Sequence, residues 1–276
     1  THEEWWLSDE DRATKRQTGD QRRETGRQKW NNTPDGEYPR CIQLEAGYNW
    51  VHALFNDGSV WNWGHGGQGQ LGTGDTHSTG SSMGPHRTLG MEAVRIIKIA
   101  TAYYREQSNH HILALDDQGG VWHWGRGSWG ISGQGNSDTQ NSPRKISQSY
   151  FDDKRVVDIA AWGDDTGSNS AARTQNDDIY CWGSNGNGVC GQGNTTNQYY
   201  PVKVAWEIPG TTTRDYNHTW KTHGGIKKWV CAGVYNQHWM MVLDGNGYLW
   251  HVGYNNNGQA FNANTTGNNA GWRRSE

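Results

Sequence analysis

The sequence predicts an all-β fold, a β-propeller built from four-stranded antiparallel blades. Three observations support this prediction. A short tryptophan-containing phrase recurs four times along the 276 residues, a turn precedes each copy, and a glycine-rich stretch follows it. Recurrence at a period of this length is typical of propeller blades separated by long loops.

The recurring phrase predicts one strand of each blade. Its copies are Val60-Trp61-Asn62-Trp63-Gly64, Val121-Trp122-His123-Trp124-Gly125, Ile179-Tyr180-Cys181-Trp182-Gly183 and Leu249-Trp250-His251-Val252-Gly253. The final glycines lie 61, 58 and 70 residues apart. An apolar run and a turn such as Asn56-Asp57-Gly58 precede each copy. Run, turn and phrase together predict a β-hairpin.

The large aromatic side chains of the phrase predict the core. Alternate residues of a strand point to the same face, so Trp61 and Trp63 share one face, as do Trp122 and Trp124. Stacked blades would bury these rings, and each tryptophan buries on the order of 150–250 Å². The predicted repeat core comprises Trp61, Trp63, Gly64, Trp122, Trp124, Gly125, Tyr180, Trp182, Gly183, Trp250 and Gly253.

The order of elements within each period identifies a known repeat. A strand ending in Ala46-Gly47 comes first, then the hairpin, then Gly67-Gln68-Gly69-Gln70-Leu71-Gly72. This order resembles the regulator of chromosome condensation repeat, in four copies at about 40–94, 95–154, 155–226 and 227–276. The resemblance implies a ring of four-stranded antiparallel blades, usually seven in that family. It also implies an interaction module that exchanges guanine nucleotide on a small GTPase.

Residues 1–39 differ from the rest because they are dense in charge and contain Leu7 as their only large aliphatic residue. Two interpretations stay open for them. They form a polar arm, or they form a degenerate partial blade in which Trp6 corresponds to Trp61. In the second case the C-terminal segment or residues missing from the chain complete the ring.

Composition and motifs argue against several classes of function. A net charge of −3 provides no basic field for nucleic acid. No apolar stretch approaches the roughly 20 residues of a membrane span.

The cysteines form no zinc pattern and are expected to be small buried side chains, although a Cys181–Cys190 disulfide stays open. His218 and His223 give a weak metal signal. With no catalytic motif present, we expect a non-enzymatic protein with no catalytic, cofactor-binding or metal residues and no cofactor.

The loops supply the candidate binding residues, because loops on a rigid scaffold commonly carry binding. The candidates are Trp129, Tyr254, Phe261 and Trp272. Three functions follow. The first is a structural or adhesion component of an extracellular or viral, phage-like assembly, whose partners are other proteins or further copies of itself. The alternatives are an intracellular interaction module, such as a nucleotide exchange factor in the cytoplasm, and a propeller that binds cell-surface glycans.

Overall fold

The structure is a computed structural model that describes residues 39–275, except 77, 79–84, 103–109, 165, 209–210, 212, 234, 236 and 261–266. The predicted arm or partial blade at 1–39 therefore lies almost entirely outside the described residues. Within them the chain forms eighteen strands and three short 3-10 helices. No helix in this part of the chain is long and apolar enough to cross a membrane.

The strands form four antiparallel blades in chain order, which confirms the predicted fold class. Blade 1 contains β1 (Cys41–Ala46), β2 (Trp50–Phe55), β3 (Val60–Gly64) and β4 (His86–Arg87). Blade 2 contains β5 (Ile96–Thr101), β6 (His111–Asp116), β7 (Val121–Gly125) and β8 (Gln140–Lys145). Blade 3 contains β9 (Val156–Asp164), β10 (Gly167–Thr174), β11 (Ile179–Gly183) and β12 (Gln198–Lys203).

Blade 4 is larger than the others. It contains β15 (Ile226–Ala232), β16 (Trp239–Asp244), β17 (Leu249–Gly253) and β18 (Asn269–Arg274). Two short strands, β13 (Trp206–Glu207) and β14 (Arg214–Asp215), extend it beyond β18 into a six-stranded sheet. The 3-10 helices are Ser128–Gly130, Gln148–Phe151 and Trp220–His223. β13 pairs with β18 in parallel, with Trp206 opposite Trp272.

Apolar side chains fill each interface between successive blades. One buried cluster joins blades 1 and 2 and contains Leu54, Ile112 and Trp124. A second joins blades 2 and 3, and a third joins blades 3 and 4. The clusters explain how a chain with few leucines stays folded, because the blade faces that meet in these three interfaces are apolar and cover one another.

The glycine-rich loops of blades 1, 2 and 3 each contact the outer strand of the next blade. The amides of Gly74, Gly135 and Gly193 donate to carbonyls of the following outer strand, at 2.9, 3.0 and 3.0 Å. Gly130 lies in one such loop with φ +84°, and a Cβ there would lie 2.6 Å from the Tyr199 Cα. Glycine is therefore required where this loop approaches blade 3.

The first strands of the blades converge on the inner side, where β1 contacts β5, β5 contacts β9, and β9 contacts β15. Each of these four strands carries a bulge at the same place in its pairing with the second strand. The residues that follow the bulge are Gln43, Lys98, Asp158 and Lys228. A bulge redirects the side chain beside it, so these four side chains occupy equivalent places.

Candidate functional site

A cleft of about 270 Å³ lies on the inner side of blades 2, 3 and 4. Its walls come from the first strands β5, β9 and β15, with Arg173 from β10. We name it the inner-strand cleft and define it by the lining residues Lys98, Asp158, Ile159, Ala160, Arg173, Ile226, Lys227, Lys228, Trp229, Val230 and Cys231.

Asp158 is the centre of the polar contacts in the inner-strand cleft. It accepts a short hydrogen bond from the Lys98 ammonium and one of 2.7 Å from the Trp229 indole nitrogen. These two donors come from the blades on either side of it. The Arg173 guanidinium lies 4.0 Å from the same carboxylate. Asp158 therefore joins three blades.

The carboxyl of Asp158 is held in its charged form. Burial alone would raise its pKa, but the hydrogen bonds from Lys98 and Trp229 and the charge of Lys98 lower the pKa below its ordinary value. An ionised Asp158 neutralises one positive charge of the inner-strand cleft, and Asp177, 2.8 Å from the Arg173 guanidinium, neutralises a second. The charges of Lys227 and Lys228 are left without a carboxylate partner among the described residues.

The lining is cationic although the chain as a whole carries a net charge of −3. The lining contains one carboxylate, Asp158, and four cations, Lys98, Arg173, Lys227 and Lys228. Of these, Lys98 pairs with Asp158 and Arg173 pairs with Asp177, which lies outside the lining, at 2.8 Å. Lys227 and Lys228 are exposed. Neither side chain makes a hydrogen bond or ion pair with any other residue that the structure describes. These two ammonium groups are available to an anionic ligand.

The repeat-core residues occupy equivalent positions in the blades but differ in exposure. Trp124, Trp182 and Tyr180 are buried, whereas Trp61, Trp63, Trp122 and Trp250 are half-buried. The indole nitrogens of Trp124 and Trp182 donate to backbone carbonyls of the preceding blade, Gln70 at 2.9 Å and Ile131 at 2.8 Å. These two rings therefore connect blades by hydrogen bonding as well as by packing.

Aspartates at two of the hairpin turns accept hydrogen bonds from two of the half-buried indoles. Asp116 accepts from the Trp122 indole nitrogen at 2.9 Å, and Asp244 accepts from that of Trp250 at 2.8 Å. The other oxygen of each carboxylate accepts backbone amides of the turn, such as Gly120 at 2.6 Å. This role was not predicted from the sequence, although both aspartates lie six residues before their tryptophan.

The candidate binding-loop residues do not form one site. Trp129 is half-buried beside Arg126 in blade 2, and Tyr254 is half-buried in blade 4. Phe261 lies outside the described residues. The expectation for Trp272 was wrong, because Trp272 lies in β18, is only 1% exposed and packs against Trp220. Its pairing with β13 covers it, so it is not available to a sugar.

The two loop histidines do come together. The Nε2 atoms of His218 and His223 lie 2.9 Å apart, and both rings contact Trp206. Burial and the neighbouring His218 lower the pKa of His223. Across the described part of the chain, no group of three or more His, Cys, Asp and Glu side chains is arranged to hold a metal ion.

A family model matches the chain in three segments. The model describes the regulator of chromosome condensation (RCC1) repeat and matches residues 57–104, 118–165 and 176–211. Each segment begins before the third strand of one blade and continues past its fourth strand; the first two segments also include the first strand of the next blade. The sequence repeat is thus offset from the structural blade, so that one repeat contributes strands to two successive blades.

Curated relatives match part of the chain. The RCC1 domain-containing protein RUG3, mitochondrial, of Arabidopsis thaliana is 35% identical over 51% of this chain and 28% of its own length. The human E3 ubiquitin-protein ligase HERC2 is 29% identical over 58% of this chain. The match covers only 3% of HERC2.

Solved structures show the same fold. Human WBSCR16 superposes with a TM-score of 0.64 at 18% identity, covering 88% of this chain and 54% of that one. Prp20, the yeast RCC1, superposes with a TM-score of 0.53 at 22% identity, covering 79% and 42%. These likenesses confirm the fold, and the family-model match confirms the resemblance inferred from the repeated phrase.

Proposed function

The chain belongs to the family of proteins built from RCC1 repeats, and on that premise we propose that it is a non-catalytic binding module inside the cell. Its inner-strand cleft receives an acidic segment of a protein partner. The observation that carries this proposal is the cationic lining of the cleft, in which two of the four cations are left unpaired after Lys98 pairs with Asp158 and Arg173 with Asp177. Two of the cations, Lys227 and Lys228, are exposed on one strand.

The charge of the cleft selects the class of partner. Carboxylates of an acidic segment would pair with Lys227 and Lys228, and complementary charge mainly raises specificity and the association rate. One solved structure of Prp20 is described together with its binding to Gsp1p and histones. Histone tails are basic, so a cationic cleft disfavours a partner of that kind here.

The intracellular setting is the second part of the proposal. The relative RUG3 is named as a mitochondrial protein. The comparisons lend no support to an extracellular, adhesive or virion role, and the burial of Trp272 removes one of the two indoles on which a glycan-binding role depended.

A charge-reversal experiment tests the cleft. Lys227→Glu with Lys228→Glu should weaken the binding of a fluorescein-labelled oligoglutamate peptide at least about tenfold, equal to about 1.4 kcal/mol. The matched control is Arg144→Glu with Lys221→Glu, which makes the same change in net charge on exposed residues outside the cleft. Fluorescence anisotropy at physiological salt measures both variants.

The control decides between local and diffuse attraction. Equal weakening by the two double variants would show that overall charge, rather than the cleft, attracts the peptide, and would refute the proposal. Affinity for the peptide should also fall with added salt, because exposed charges are screened.

Guanine-nucleotide exchange is a second candidate function. The fold likeness to Prp20, a protein with binding properties toward Gsp1p, favours it. Release of a fluorescent GDP analogue from a panel of small GTPases would test it. Acceleration that persists in Lys227→Glu with Lys228→Glu would place exchange on a surface other than the cleft.

A further inference from the structure

Cys181 and Cys190 face each other across a buried strand–loop contact of blade 3. Cys181 lies in β11, and Cys190 lies in the glycine-rich loop that follows β11. Their Sγ atoms are 2.9 Å apart, and both residues are 0% exposed. We propose that these two residues form an intramolecular disulfide, a covalent modification of the chain that fixes the loop of blade 3 to its strand.

The repeat shows that the fold, rather than the sulfur atoms, brings these positions together. In blade 1 the equivalent residues are Asn62 and Leu71, and the Asn62 side chain donates to the Leu71 carbonyl at 2.9 Å. The strand position and the loop position are thus in contact in a blade that contains no cysteine at either place. Cysteines at this pair of positions are held close in the same way.

The loop backbone is fixed by contacts of its own. The Cys190 amide donates to the Asn185 side chain at 2.9 Å. In blade 4 the equivalent Ala260 amide donates to the Asn255 side chain at 2.8 Å. Since the loop of blade 4 adopts the same arrangement with an alanine, the position of Cys190 does not depend on its thiol. A covalent S–S bond of about 2.05 Å then requires only a small movement of the two side chains.

The chemistry requires an oxidant, which we name as a small-molecule disulfide such as oxidised glutathione. One cysteine thiolate attacks the oxidant and releases one glutathione thiolate, leaving a mixed disulfide. The second cysteine thiolate then attacks the protein sulfur and releases the other glutathione. The protein loses two hydrogen atoms, and the oxidant becomes two molecules of reduced glutathione.

Burial determines when the bond can form. Burial and the contact with Cys190 raise the pKa of the Cys181 thiol well above its usual range, so the reactive thiolate is scarce in the folded chain. We therefore expect the bond to form while the chain folds, before the pair is enclosed. Once formed, it should resist reductants that cannot reach the interior.

The disulfide would stabilise the contact between the loop of blade 3 and the outer strand of blade 4. The same loop continues to Gly193, whose amide donates to the Ala270 carbonyl of β18 at 3.0 Å. Gly188 also lies against Ala270. Fixing the loop to β11 therefore restrains the segment through which blade 3 holds the outer strand of blade 4.

Refolding of the full chain tests the proposal. The reduced, denatured chain is refolded in dithiothreitol or in a glutathione redox buffer, and free thiols are then alkylated with N-ethylmaleimide in denaturant. Intact mass should show four adducts after dithiothreitol and two after glutathione, on Cys41 and Cys231. The peptide that carries Cys181 and Cys190 should be lighter by two hydrogen atoms.

Variants separate this pair from the other cysteines. The Cys41→Ser, Cys231→Ser variant should show two adducts after dithiothreitol and none after glutathione, with a higher melting temperature in the oxidised form. The Cys181→Ala, Cys190→Ala variant should melt at the same temperature in both buffers. Two adducts in the first variant under both conditions, or a wild-type peptide map that links Cys41 or Cys231, would overturn the proposal.

Discussion

Removing one indole nitrogen from each of two blades should have unequal effects on stability. Trp124 and Trp182 occupy equivalent, fully buried positions, and each donates to a carbonyl of the preceding blade. The two acceptors differ. Among the described residues the Gln70 carbonyl accepts only from Trp124, whereas the Ile131 carbonyl also accepts from the Ser170 hydroxyl at 3.1 Å.

The difference in magnitude follows from what each substitution leaves behind. Trp124→Phe and Trp182→Phe remove the same ring volume from buried sites, so the cavity contribution is similar. Trp124→Phe also leaves a buried carbonyl without a donor, which costs about 1–3 kcal/mol. Trp182→Phe leaves Ile131 with its second donor. We expect Trp124→Phe to lower the free energy of unfolding by about 1–2 kcal/mol more than Trp182→Phe.

Scanning calorimetry measures this difference, since tryptophan fluorescence changes with the substitution itself. A difference of 1–2 kcal/mol corresponds to a melting temperature lower by roughly 2–8 °C for a chain of this size. Ser170→Ala provides the internal check in a double-mutant cycle, because its cost should grow when Trp182 is already Phe. Equal losses for the two tryptophan variants, or a larger loss for Trp182→Phe, would refute the reasoning.

Two further predictions concern pH and a seam glycine. Burial lowers the pKa of His52 and His123 to about 4, so both are neutral in the fold while the unfolded chain takes up protons first as the pH falls. Each of the two histidines should therefore lower the free energy of unfolding by about 2 kcal/mol as the pH falls from 7 to 5. Replacing one of them, in His123→Gln, should make the free energy of unfolding less dependent on pH. Gly130→Ala should lower the melting temperature by several degrees because of its φ of +84° and the clash with Tyr199, whereas Gly186→Ala, with open space at its Cβ, should leave it unchanged.

The hairpins of each blade could be predicted from sequence because their signals are local. Turn residues such as Asp117-Gln118-Gly119 and the phrase beginning at Val121 lie side by side in the chain. The partners of the indoles were not predictable in the same way. The Trp124 indole reaches a carbonyl 54 residues earlier, and the choice of that carbonyl depends on how two blades pack.

Trp272 shows where a compositional argument failed. Its Asn- and Gly-rich surroundings are typical of a loop, which led to the expectation of an exposed ring. The structure instead places it in β18, opposite Trp206 of β13 in a parallel pair. A partner 66 residues away, in a segment with no strand signal of its own, covers the ring, and no local pattern could reveal it.

One residue of the inner-strand cleft, Lys228, occupies a position that binds the next blade in each of the other three blades. At the post-bulge position, Gln43 binds the Ile99 backbone of blade 2 and Lys98 binds Asp158 of blade 3. Asp158 in turn binds the Trp229 indole of blade 4. Lys228 holds the same position in blade 4, is exposed, and has no side-chain partner among the described residues. A position that is structural in three blades therefore provides a cation available for binding in the fourth, which is why the charge of this one side chain should matter to a ligand and little to the fold.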